Sequence, residues 1–78
     1  MSDIDLVDVT VHIDEELDAA GLANLEQALR DESGVVSVHF QPGKPHLAVV
    51  EYNPEATNSA SILSRVTSQN LHAELIGL

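Results

Sequence analysis

Residues 35–52 read VVSVHFQPGKPHLAVVEY, and the fold turns on how this stretch is read. Its first part, Val35–Gln41, alternates with period two, the pattern of a half-buried strand: Val36, Val38 and Phe40 point one way, Ser37, His39 and Gln41 the other. PGKP (Pro42–Pro45) is a turn, and Pro-Gly suits type II geometry, which needs a positive φ at the residue after proline. HLAVVEY (His46–Tyr52) is a further strand, and so short a connection makes the two strands a hairpin. Ala48, Val50 and Tyr52 are placed inward, and Leu47, Val49 and Glu51 outward.

Outward from the hairpin, each flank carries a strand and a helix. Residues 6–13, LVDVTVHI, alternate again, with Val7, Val9, Val11 and Ile13 on one side and Asp8, Thr10 and His12 on the other. Residues 18–32 read as a helix whose buried stripe is Leu22, Leu25 and Leu29, with Ala28 beside it. Asp18 is its expected N-cap, and Gly34 suits a left-handed C-cap. After the hairpin, NPEATN (Asn53–Asn58) is a loop that offers Thr57 or Asn58 as a cap. Residues 59–69 form a second helix with Ile62, Leu63 and Val66 buried. Asn70 can end it in the left-handed region, and Leu71–Ile76 is a last strand. The order β-α-β-β-α-β, with right-handed crossovers, predicts one α+β domain over residues 1–78. It is a ferredoxin-like sandwich with a four-stranded antiparallel sheet in the order 4-1-3-2, two helices on one face, and the other face open.

Composition narrows the function. The chain has 78 residues and no cysteine, so disulfides, thiolate metal sites and thiol nucleophiles are excluded. Thirteen acids face three bases, Arg30, Lys44 and Arg65, for a formal net charge of -10. Phosphate neutralisation needs clustered Lys and Arg, so neither nucleic acid nor an anionic membrane surface is an expected partner. Cations and basic protein surfaces are favoured instead. The acidic start, MSDIDLVD, lacks the basic, apolar character of a signal peptide, and no run approaches a membrane span, so a cytoplasmic location is expected. No glycine-rich phosphate loop and no placed nucleophile–base–acid set is visible, so no enzymatic activity and no cofactor is expected.

Four segments together resemble a known family, the heavy-metal-associated domains of copper chaperones and metal-pumping ATPases. They are VTVHI before the first helix, LANLEQALRDESGVVSVHF through the helix and second strand, AVVEYNPEA, and NLHAELI at the end. The resemblance spans nearly the whole chain and implies the same fold. It also implies a metal loop between the first strand and first helix, carrying methionine and two cysteines for Cu(I) or a similar soft ion. In this chain the two cysteine positions fall on Asp18 and Gly21, and the methionine position falls near Glu16. Soft-metal chemistry needs sulfur, so the family's usual cargo is not expected here.

HIDEELDAAG (His12–Gly21) therefore stands where a metal loop would be. Three readings of it stay open. Asp18 can be a plain cap, with Asp14–Glu16 as solvated charges near a helix N-terminus. The carboxylates can bind a hard divalent cation weakly. Or the loop can dock on a basic partner. His12 and His72 share the outward parity of adjacent strands, so they are a candidate pair for Zn²⁺ or Ni²⁺, with Asp14, Glu16, Asp18 or Glu74 as further ligands. His39 is placed toward the other end of the sheet, and His46 at the hairpin turn in solvent. The open face, with Thr10, His12, Ser37, His39, Leu47, Val49 and Ile76, is the expected interaction surface. Self-association is ranked first among its uses and a basic protein surface second.

Overall fold

The structure is a computed structural model that describes residues 5–76; the first four positions and Gly77-Leu78 lie outside the described residues. Six elements follow in the expected order: β1 (Val7–Ile13), α1 (Ala19–Arg30), β2 (Val35–Gln41), β3 (Lys44–Tyr52), α2 (Ser59–Thr67) and β4 (Ala73–Ile76). The strands form one sheet in the order β2-β3-β1-β4, which is the expected 4-1-3-2 order written from its other edge. All three pairings are antiparallel.

The core is aliphatic. Val9, Val11 and Ile13 of β1, Val38 of β2, and Ala48 and Val50 of β3 meet Leu25 and Leu29 of α1 and Ile62 and Val66 of α2, all at 5% exposure or less. Leu63, Phe40 and Tyr52 pack around this cluster and are partly buried. Inward parity does not bury every residue that carries it. Val7, the first residue of β1, is 39% exposed.

The parity of β2 differs from the reading above. Val36, expected inside, is 50% exposed. The ladder with β3 shifts register between Val35 and Ser37. This bulge sends Val35 against the core in place of Val36, while Val38 and Phe40 keep their inward side. The hairpin is also tighter than PGKP suggested. Gln41 pairs directly with Lys44, so Pro42 and Gly43 alone make the turn and β3 begins two residues early. Gly43 has φ +74, as the third residue of a type II turn requires.

Both helices are capped by a side chain. Asp18 accepts from the backbone N–H of Gly21 at 2.8 Å, and Asn58 accepts from that of Ser61 at 2.8 Å. Thr57, the other cap candidate, instead turns inward. Its buried hydroxyl donates to Glu32 at 2.6 Å, and the other Glu32 oxygen accepts from Arg65 Nε at 2.8 Å. Together they tie the end of α1 to α2 and hold the Glu32 carboxyl below the usual carboxylate range, Thr57 contributing most. Gly34 sits where this region closes up. Its φ is +100, and a β-carbon there would lie 2.7 Å from that of Ala56. Asn70 ends the second helical region at φ +64, as expected of a residue standing in for glycine.

Candidate functional site

The loop between β1 and α1 is closed at both ends by its own acids. At the helix end Asp18 is extended, with its carboxylate committed to the Gly21 cap. Leu17 packs against the core and anchors the loop, leaving Glu16 exposed. At the strand end Glu15 reaches across to the residue that precedes β4. It accepts the backbone N–H of His72 at 2.8 Å and the His72 Nδ1–H at 2.6 Å, while the Asp14 N–H donates to the His72 carbonyl at 2.8 Å. The His72 hydrogen bonds hold the Glu15 carboxyl below its ordinary range. The same contact raises His72 above its own.

His12 and His72 do not face one another. The residue opposite His12 on β4 is Glu74, and Ala73 pairs with Ile13, so His72 falls beyond the strand, opposite the loop. The group that gathers is His12, Asp14 and Glu74, whose ligand atoms all lie within 4.8 Å of one another. Nδ1 of His12 stands 3.3 Å from the Asp14 carboxylate and 3.8 Å from that of Glu74. Of the expected set, therefore, His12, Asp14 and Glu74 come together, while His72 is engaged by Glu15, Asp18 caps α1, and Glu16 lies apart.

His46 is not a solvated turn residue. It belongs to β3 and is half-buried, and its Nδ1 lies 2.9 Å from the Ile13 carbonyl. A carbonyl can only accept, so Nδ1 carries the proton there. The ring stacks on His12, with centroids 6.2 Å apart and planes at 22°. No short-range pattern announces this contact. The Ile13 contact follows from extending the β1–β3 register, His12 with Leu47, by one residue.

The open face is ordered in rows. His39, Val49, Thr10 and Ile76 occupy one row across all four strands, with Ile76 38% exposed. Leu47, His12 and Glu74 make the next row. His39 thus stands two strands and one row from His12, closer than its expected place at the far end. On the other side of the His39 row, Ser37 donates to Glu51 at 3.3 Å, and Glu51 pairs directly with Asp8. Arg30 is held by Glu26 at 2.9 Å and Arg65 by Glu32 at 2.8 Å, both on the helical side. Among the described residues no pocket opens in the surface, and no helix is long and apolar enough to cross a membrane.

Several solved structures superpose on this chain. A copper-binding domain from HMA7, a P-type ATPase, matches with a TM-score of 0.81 at 20% identity, over 90% of this chain and 93% of that one. Oxidized MerP from Ralstonia metallidurans matches with a TM-score of 0.83 at 15% identity, over 94% and 100%. The N-terminal domain of PacS from Synechocystis gives 0.72 at 21% identity, over 91% and 98%. This is the fold of the heavy-metal-associated domains. No protein-family model matches the sequence, and no curated protein matches it significantly.

Within the heavy-metal-associated fold, the donor set of a soft-metal loop is absent. The two positions that the resemblance gave to thiolates, Asp18 and Gly21, are hydrogen-bonded to each other. One has its carboxylate engaged as a cap and the other has no side chain. Cu(I) selects thiolate and thioether sulfur, so these residues do not fit it.

Proposed function

We propose that this chain is a non-catalytic binding module built on the heavy-metal-associated fold, with the thiolate loop replaced by an ordinary capped helix start. The observation that carries this reading is the Asp18–Gly21 hydrogen bond at 2.8 Å, which uses the loop to begin α1. The working surface is then the open sheet face, with Thr10, His12, His39, Leu47, Val49 and Ile76. A basic protein surface suits it better than a second copy. Asp8, Glu51 and Glu74 share the face, while Arg30 and Arg65 are paired on the helical side. A second copy would bring the same carboxylates against them, and like charges brought together oppose association.

The test combines two measurements. Sedimentation at rising concentration should show a monomer for the wild type and for Val49→Glu alike. A lysine-rich peptide titrated into the labelled protein should shift the amides of Thr10, His39 and Val49. A dimer abolished by Val49→Glu would give the face to a second copy and overturn the basic-partner reading. Shifts confined to the acids of α1 and the first loop would overturn the face itself.

A further inference from the structure

The geometry points to a divalent-cation site at the loop end of the sheet, made by His12, Asp14 and Glu74 and suited to a borderline transition ion such as Zn²⁺. It is distinct from the lost thiolate positions and does not require the open face to have a partner. Three observations carry it.

The first is spacing. Around a tetrahedral zinc with nitrogen and oxygen ligands, neighbouring donor atoms sit about 3.3–3.5 Å apart. His12 Nδ1 and Asp14 Oδ1 are 3.3 Å apart, and Nδ1 and Glu74 Oε1 are 3.8 Å apart. The third separation is within 4.8 Å. Small rotations of two exposed carboxylates would bring all three onto one ion.

The second is an unsatisfied atom. The His12 side chain is 39% exposed, but its Nδ1 is shielded from solvent and has no hydrogen-bond partner, although two carboxylates flank it. A buried polar atom without a partner is costly, and in folded proteins such atoms are uncommon. An ion between Nδ1 and the carboxylates would satisfy it and also separate their charges. The Asp14 and Glu74 side chains are 57% and 68% exposed, so an ion can reach the site through them.

The third is that the frame is already set. Register holds Glu74 opposite His12. The backbone bond from Asp14 to the His72 carbonyl fixes the loop beside β4. The His46 ring, with Nδ1 on the Ile13 carbonyl, backs the His12 ring. One imidazole and two carboxylates suit zinc and its neighbours in the first transition row. They do not supply the six to eight oxygens that calcium takes, and they leave at least one coordination position to water or a partner's ligand.

The experiment is calorimetric titration of the metal-free protein with zinc sulfate, with Co²⁺ absorption and imidazole ¹⁵N shifts as independent readouts. One equivalent should bind, with the largest shift at His12 Nδ1. Affinity should fall at least tenfold in His12→Gln and in Glu74→Gln and stay unchanged in His39→Gln and Glu16→Gln, four exposed or half-exposed positions whose folding circular dichroism can verify. Should His12→Gln fail to fold, Glu74→Gln on the exposed edge strand carries the test. No saturable binding would overturn the site and leave only a close approach of His12 to its two acids. Binding that survives both His12→Gln and Glu74→Gln would equally overturn it.

Discussion

Glu15 spends both carboxylate oxygens on one distant residue: Oε1 accepts the His72 backbone N–H at 2.8 Å and Oε2 accepts its Nδ1–H at 2.6 Å. The contact closes the β1–α1 loop onto the approach to β4, so its pH dependence follows from the two partners. His72 is raised from its ordinary 6.5, so its share of stability is full below about pH 6.5 and lost as pH rises through the folded value. Glu15 is lowered from 4.5, so its share is present above about pH 4.5 and lost as pH falls through the folded value. The latch should therefore hold best between these limits. NMR titration in a chelator-containing buffer should place His72 above 6.5 in the wild type and bring it down in Glu15→Gln. An unchanged His72 would show that the contact does not persist in solution.

The core makes a sharper mutational contrast. Leu25 is 1% exposed and Val36 is 50% exposed. Leu25→Ala should cost about 2–5 kcal/mol, the range for truncating a buried leucine. Val36→Thr should stay within about 0.5 kcal/mol of the wild type. Equal costs in urea unfolding would mean that the bulge at the start of β2 is misplaced.

Gly34 should be nearly irreplaceable. Gly34→Ala would put a β-carbon 2.7 Å from Ala56 at φ +100. Left-handed strain alone is worth about 1–3 kcal/mol for a residue with a side chain, and the clash adds to it. Thermal unfolding that leaves the variant within error of the wild type would contradict the geometry at this turn.

On the open face Asp8 stands directly opposite Glu51, a like-charge pair in register. Reversing one sign should stabilise the sheet, because opposite charges facing each other across strands are worth about 0.2–1 kcal/mol. Asp8→Lys should raise the denaturation midpoint, and the gain should shrink in high salt. A lowered midpoint would show that a different neighbour of Asp8 outweighs Glu51.

Where the chain's local chemistry decides structure, the sequence was readable. Period-two runs marked β1 and β2, the short turn marked the hairpin with β3, the leucine stripe marked α1, and Asp18, Gly43 and Asn70 each took the backbone role that their residue type favours. Most of what was missed depends on which residue meets which at a distance. The bulge that turns Val36 outward comes from the pairing of β2 with β3. Thr57 looked like a cap because its partner, Glu32, lies twenty-five residues away. His12 and His72 share parity, but two residues of register replace that pair with His12 and Glu74. His46 gained a role only because β3 starts at Lys44 and carries it up to Ile13.

The most direct measurement is competition for Cu(I) between the protein and a chelator of sub-micromolar affinity. The Asp18–Gly21 cap stands where thiolates would have to be, so the wild type should leave all the Cu(I) with the chelator. The double variant Asp18→Cys with Gly21→Cys should begin to withdraw it. Sub-micromolar Cu(I) binding by the wild type would contradict the account.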